Sequence, residues 1–269
     1  MFTQKIGFIG GGNMAQAIIG GLIAQGFNQQ SIMVSEPYQP TREILQSKNI
    51  QLLNDNVAVV QHVDIIIIAV KPQMAKEVLA PLTGLCDDKL IISIMAGIEI
   101  ETISQLLGGA KRIVRVMPNT PALLQLGASG AFAHDLTADD KNIATQILQA
   151  IGLVVWVKNE REIDAVTAIS GSGPAYFFYM MEQMIQAGID MGLDEQTVKQ
   201  LTLQTALGSA QMAMQSEYSP TQLRKNVTSP NGTTQKAIET FDELGVGQGI
   251  QQGVKNAERR SQELAEILR

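Results

Sequence analysis

The chain has 269 residues, a formal net charge of −6, 45% hydrophobic residues and 17% charged ones. These proportions describe a folded globular protein with enough core for one large domain or two modest ones, and exclude a disordered chain. The acidic balance, with no basic stripe against it, argues against nucleic acid as a partner.

A single cysteine, Cys86, excludes an intrachain disulfide and suits a reducing, cytoplasmic setting, where it reads as a small buried hydrophobe. His62 and His134 stand far apart without ligand-type spacing, so no metal is expected. No Ser/His/Asp or Cys/His arrangement supports covalent catalysis. Met1–Lys5 runs directly into the first strand, so no signal peptide is expected. The longest apolar run, Ile65–Val70, is too short to span a bilayer.

In chain order, Lys5–Gly10 reads as a buried strand, and Gly10-Gly11-Gly12-Asn13-Met14-Ala15 opens a helix reaching about Gln25. This is G-x-G-x-x-A inside a β-α-β unit closed by Ile32-Met33-Val34-Ser35. Gly10 permits the tight turn, Gly12 admits a pyrophosphate to the backbone, and Ala15 lets helix and strand lie close. Further strands are predicted at 64–70, 89–95, 111–117, 128–134 and 153–157. Helices are predicted around 40–48, 56–62, 74–80, 99–107 and 137–150. Short apolar strands alternating with helices imply a mostly parallel, Rossmann-like sheet covered on both faces, an α/β domain over residues 1–160. Ligands of such sheets lie beyond the carboxyl ends of the strands. Glu36, Val70-Lys71-Pro72 and Met117-Pro118-Asn119-Thr120-Pro121 all follow strand ends and are expected to face a cofactor. For Lys71, position alone fits a solvated strand-end lysine equally well.

From about Arg161 the strand signal stops. An all-helical domain is predicted over 161–269, with helices at 161–169, 174–191, 194–215 and 246–268 and one after Gly232. Met180, Met181, Met184, Met191, Met212 and Met214 read as core or subunit interface. Ser170-Gly171-Ser172-Gly173-Pro174-Ala175-Tyr176 reads as an interruption that exposes backbone N–H groups. A second polar run, Thr228-Ser229-Pro230-Asn231-Gly232-Thr233-Thr234, enters a helix with Ala237, Ile238 and Phe241 on one face. Its leading N–H groups suit a small carboxylate. Two such corners and a dinucleotide site describe a hydride-transfer enzyme.

The segments IGFIGGGNMAQAI, AVKP, MPNTPA, ISGSGPAY and above all Pro220–Asp242 resemble the pyrroline-5-carboxylate reductase family, over effectively the whole chain. The family usually has Gly-Gly where this chain has Asn231-Gly232, and Asn is the residue that best replaces glycine in a left-handed backbone. The resemblance implies reduction of 1-pyrroline-5-carboxylate to L-proline, the last step of proline biosynthesis, by hydride transfer from NADPH, while Glu36 makes NADH an expected competitor. It implies a homodimer with interleaved helices; the alanine- and methionine-rich helical half leads to the further expectation of a larger ring of dimers, and the short apolar runs to that of no membrane partner. By match of motif the catalytic positions are Thr234 (to the ring nitrogen), Lys71 and Glu217. Substrate contacts fall on Ser172, Asn226, Asn231, Gly232, Thr233 and Thr234. Cofactor contacts fall on Gly10, Gly12, Asn13, Met14, Ser35, Glu36, Asn56, Ala69, Val70, Lys71, Pro72 and Ala96. Glu36 stands where an acid grips the adenine ribose of NAD and would repel the 2′-phosphate of NADP, whereas Arg42 is near enough in sequence to pair with that phosphate. Pro37 and Pro40 leave open a Glu36 turned towards solvent.

Two other readings are weaker. A β-hydroxyacid dehydrogenase has a similar layout but uses a lysine and an asparagine four apart, and no lysine after residue 160 has that partner. A non-catalytic nicotinamide sensor would keep the glycine motif without needing the Thr228–Thr234 run.

Overall fold

The computed structural model describes residues 3–267. By internal contacts the chain forms two compact units, Met1–Ser172 with Ala257–Arg269, and Gly173–Asn256. The first is built on an eight-stranded sheet: β1 (Ile6–Ile9), β2 (Ile32–Ser35), β3 (Gln51–Leu53), β4 (Ile65–Ile68), β5 (Leu90–Ser93), β6 (Ile113–Met117), β7 (Gly127–Ala133) and β8 (Gly152–Trp156). Their spatial order is β3-β2-β1-β4-β5-β6-β7-β8. Pairing is parallel from β3 to β6, antiparallel between β6 and β7, and parallel again between β7 and β8.

Why the strands read as unbroken apolar runs is plain in β4. Ile65 and Ile67 enter one core layer, Ile66 and Ile68 the other, and all four are buried. A strand covered on both faces has no position for a polar side chain. Each such isoleucine contributes about 1.5–3 kcal/mol of burial. One layer is covered by α1 (Asn13–Ala24) and, further along the chain, α6 (Ala138–Gln149). In α1 the buried Ala15, Ile18, Ile19 and Leu22 fall at the spacing of one helical face. The other layer is covered by α3 (Asn56–His62), α4 (Ala75–Leu79) and α5 (Ile100–Leu106), while α2 (Gln39–Ser47) sends Leu45 into the first. Cys86 is buried in the α3–α5 layer, and burial pushes its thiol up to about 11. The short edge strand β3 is absent from the sequence prediction.

The remaining helices are α7 (Glu162–Val166), α8 (Gly173–Asp190), α9 (Glu195–Gln215), α10 (Pro220–Asn226), α11 (Thr233–Glu243) and α12 (Val246–Ile267). In the second unit α8 packs on α9 so tightly that a Cβ on Gly188 would lie 2.6 Å from Val198 Cγ2. Phe177, Tyr179, Met191, Met212 and Met214 stay exposed, Met214 at 85%. Among the described residues no helix is long and apolar enough to cross a membrane.

Two expectations differ from the structure. Ser170–Tyr176 is not an open interruption: Thr167–Gly171 forms one turn of π-helix, with the Ser172 N–H donating to the Thr167 carbonyl at 2.8 Å, and α8 begins at Gly173. The glycines and serines permit a wide turn here; they do not end the helical path. Residues 161–172 also belong by contact to the first unit, not to the helical one. Arg115, buried in β6, explains this. Its guanidinium meets Glu160 at 3.1 Å and Asp164 at 4.0 Å, and the Ser261 hydroxyl of α12 donates to Asp164 at 2.7 Å. The Ile100 N–H donates to the same Glu160 at 2.8 Å. A buried cation needs its carboxylates beside it, so α7 and the end of α12 are drawn onto the sheet.

Candidate active site

The sheet changes direction of winding between β1 and β4, and a cleft of about 600 Å³ opens there beyond the carboxyl ends of β1, β2 and β4. That is where open α/β sheets hold ligands. Gly10 turns out of β1 at a φ of 93°, its N–H donating to the Ser35 carbonyl at 2.9 Å. A Cβ there would lie 2.7 Å from the Ala69 carbonyl oxygen, so only glycine fits. Gly12 is different. A Cβ at Gly12 would meet nothing within 4 Å, and it would project where the chain caps α1 and lines the cleft. The space left open at a helix N-terminus is the cradle a pyrophosphate requires.

Glu36 faces this loop, not solvent. One carboxylate oxygen accepts the Gly11 N–H at 2.7 Å and the other accepts the Tyr38 N–H at 2.8 Å. Arg42 donates from Nη1 to the Glu36 backbone carbonyl at 2.8 Å. The prolines at 37 and 40 start α2 in a tight turn without swinging the acid away. A half-buried carboxylate with both oxygens oriented, and lone pairs left over, is arranged to accept ribose hydroxyls.

Gly10, Gly12, Ser35, Glu36, Asn56, Ala69, Val70 and Lys71 all line the cleft. Asn13, Met14, Pro72 and Ala96 do not line it; Asn13 and Met14 begin α1, Pro72 follows Lys71, and Ala96 is exposed after β5. Lys71 ends the β4 connection exposed, at the start of a 3₁₀ turn over Pro72–Met74. Sequence reasoning missed Tyr38, Thr41, Asn54, Asp55, Met74 and Val78, which also line the cleft. Asn54-Asp55 had a readable signal: Asp55 caps α3 by accepting the Ala58 N–H at 2.8 Å.

In the second unit, Glu217 is exposed two residues before Ser219, which caps α10, and Asn226 ends that helix. Asn231 adopts the left-handed conformation at a φ of 61°, and its N–H donates to Gln235 Oε1 at 2.6 Å. The Gly232 N–H donates to the Ser229 carbonyl at 3.0 Å. Two of the four N–H groups expected to meet a carboxylate are therefore already used, and these two residues shape the turn instead. The Thr233, Thr234 and Gln235 N–H groups, in the first turn of α11, have no partner among the described residues. The cap of α11 is Gly232 without a side-chain bond, so the Thr234 hydroxyl is not a capping group. Ser172 closes the first unit, after the π-turn. Among the described residues no three His, Cys, Asp or Glu side chains cluster as a metal site.

Comparison with known proteins gives the same picture from another side. Residues 160–264 match the family model for pyrroline-5-carboxylate reductase dimerisation, and residues 5–97 match that for coenzyme F420-dependent NADP oxidoreductase. A pyrroline-5-carboxylate reductase of Pseudomonas aeruginosa is 47% identical, the alignment covering 100% of this chain and 99% of that protein. One from Haemophilus influenzae is 44% identical with 100% of each covered. Among solved structures, a pyrroline-5-carboxylate reductase of Coxiella burnetii superposes with a TM-score of 0.92 at 40% identity, over 98% of this chain and 99% of that one. The Plasmodium falciparum enzyme with NADP bound gives 0.89 at 30% identity, with 98% and 99% covered. With this identity along its whole length and a dinucleotide cradle at its switch point, the chain belongs to the pyrroline-5-carboxylate reductase family.

Proposed function

We propose that the protein reduces 1-pyrroline-5-carboxylate to L-proline with NADPH or NADH. The observation that carries this reading is the cleft at the β1/β4 switch point, with its open Gly12 and its inward Glu36, in a chain related to these reductases from end to end.

The nicotinamide, when bound, supplies a hydride to the carbon of the C=N bond. The chain's own residues have a lighter task than in many dehydrogenases, because a cyclic imine protonated in water is already an acceptor. What remains is orientation and exclusion of water. The Gly10–Gly12 loop and the N-terminus of α1, together with Asn13 and Met14, hold the pyrophosphate, while Ser35 and Glu36 hold the adenosine ribose. Asn56, Ala69, Val70 and Lys71 line the cleft and would flank the rest of the cofactor, while Pro72 and Ala96, carried over by match of motif, lie outside that lining. The N–H groups of Thr233 and Thr234 hold the substrate carboxylate at the positive end of α11, on a turn shaped by Asn231 and Gly232. The Thr234 hydroxyl, which makes no cap, hydrogen-bonds the ring nitrogen. By match of motif, Ser172 and Asn226 are further substrate contacts, and Glu217 and Lys71 are further catalytic positions.

Residues 161–269 act as the dimerisation and substrate part. The exposed Phe177, Tyr179 and Met214 of this half belong to a dimer interface, and rings of dimers are a further assembly to test. The single buried thiol suits a reducing, cytoplasmic location. Two measurements test the proposal. Purified protein mixed with the imine should consume reduced nicotinamide and yield proline. Cofactor binding without turnover would instead favour a nicotinamide sensor. In sedimentation, a fully active monomer at assay concentration would overturn the dimer.

A further inference from the structure

We propose that Asn119 is a positioning residue: its side-chain amide anchors the π-turn that ends at Ser172. This rests on the function proposed above only where Ser172 is taken as a substrate contact.

The need for an anchor comes from Pro174. In a continuous α-helix the Ser170 carbonyl would receive the N–H of residue 174, and proline has none. The Asn119 Nδ2 group fills that gap, donating to the Ser170 carbonyl at 3.0 Å. On the other side of the same amide, Asn119 Oδ1 accepts the Ala128 N–H at 2.8 Å. Because the Ala128 N–H can only donate and the Ser170 carbonyl can only accept, the oxygen of Asn119 must face the first and its nitrogen the second. The half-buried side chain thus joins three points: the turn after β6, the start of β7 and the π-turn. Packing agrees, since a Cβ on Gly171 would lie 2.7 Å from Met117 Cε, at the end of β6.

The location gives the anchor a use. β6 lies two strands from β4 in the sheet, about 10 Å at the usual strand spacing. A dinucleotide held across the β1/β4 switch point would have its second half on the β4 side, the side on which β5 and β6 lie. Asn119 therefore fixes the backbone carrying Ser172 at that edge, at some distance from the adenosine end.

A double-mutant cycle tests this. Asn119→Asp keeps the acceptor for Ala128 and removes the donor to Ser170, leaving two acceptors facing each other. Pro174→Ala restores a helical N–H for Ser170 and makes the amide redundant. The expected result is that Asn119→Asp lowers kcat by about tenfold in the wild-type background and by less than about threefold in Pro174→Ala, with NADPH affinity unchanged within about twofold. Amide exchange measured by mass spectrometry over residues 167–176 should speed up in Asn119→Asp and recover in the double variant. If Asn119→Asp alone fails to fold while the double variant folds, the coupling is shown in another form. An equal loss in both backgrounds, or unchanged exchange over 167–176, overturns the proposal. If the wild-type protein does not reduce the imine, the proposed function falls, and the exchange arm still decides whether Asn119 anchors the turn.

Discussion

Replacing Glu36 by serine should change which cofactor is preferred. The Glu36 carboxylate is held by the Gly11 and Tyr38 N–H groups at 2.7 and 2.8 Å, so it presents a fixed negative charge in the cleft, where the proposed cofactor's adenosine would lie. A 2′-phosphate there would approach to roughly 5 Å, where two unit charges at an effective dielectric constant of about 20 repel by about 3 kcal/mol. Glu36 is half-exposed, and screening at physiological ionic strength removes a large part of this. About 2 kcal/mol remains once the phosphate's charge above unity is included, corresponding to roughly 30-fold in kcat/KM. The assay is kcat/KM for NADPH and for NADH at saturating imine, in wild type, Glu36→Ser and Arg42→Ala. Glu36→Ser should move the ratio towards NADPH by about that factor, and added salt should shrink the wild-type discrimination. Arg42→Ala should weaken NADPH alone if the guanidinium also reaches the phosphate. A ratio unmoved in both variants would refute the reasoning, and an increase in NADH preference in Glu36→Ser would reverse it.

Thr234→Ala should lower kcat by up to about 3 kcal/mol, or some hundredfold, with the melting temperature unchanged because the hydroxyl caps nothing; normal kinetics with a lower melting temperature would oppose this. Arg115→Met should destabilise the protein by about 3 kcal/mol in denaturant unfolding, since it leaves Glu160 and Asp164 without their cation; a loss below about 1 kcal/mol would mean that water reaches the cluster. The Arg112 guanidinium, paired with Asp140, holds that carboxyl below its usual range. A depressed carboxylate stabilises the fold above its unfolded value and loses that contribution as pH falls through the folded value. Arg112→Gln should therefore be less stable than wild type above about pH 5, with the gap closing below about pH 4.

Much of this architecture was legible in the chain itself, for identifiable reasons. β4 and α3 were legible because all four β4 residues are apolar and because Asn56–His62 follows a polar turn. β3 was not, because Gln51-Leu52-Leu53 is a three-residue edge strand too short to show a period. α10 carried a signature that went unread: Ser219 accepts the Gln222 N–H and Pro220 takes the first helical position. The Gly/Ser composition of 170–173 suggested a break because nothing in composition separates a loop from a π-turn. The hydrogen bond from Asn119, 51 residues earlier, is what distinguishes them. At the cleft, the glycine spacing identified the loop, but the orientation of Glu36 depended on the turn through Pro37 and so required coordinates.

The junction of Ser261 with Asp164 has a consequence for biogenesis. The sheet-bearing unit is discontinuous: it needs residues from Ala257 onward, which are synthesised after the whole of the intervening helical unit. Until then Asp164, beside the buried Arg115, lacks the hydroxyl that completes its coordination. A nascent chain can assemble β1 to β8, yet its charged cluster closes only once Ser261 has been made and has reached Asp164. Quality control thus has a simple cue, since a chain truncated before residue 261 keeps an unfinished polar seam at α7 and should be cleared faster than one that carries Ser261.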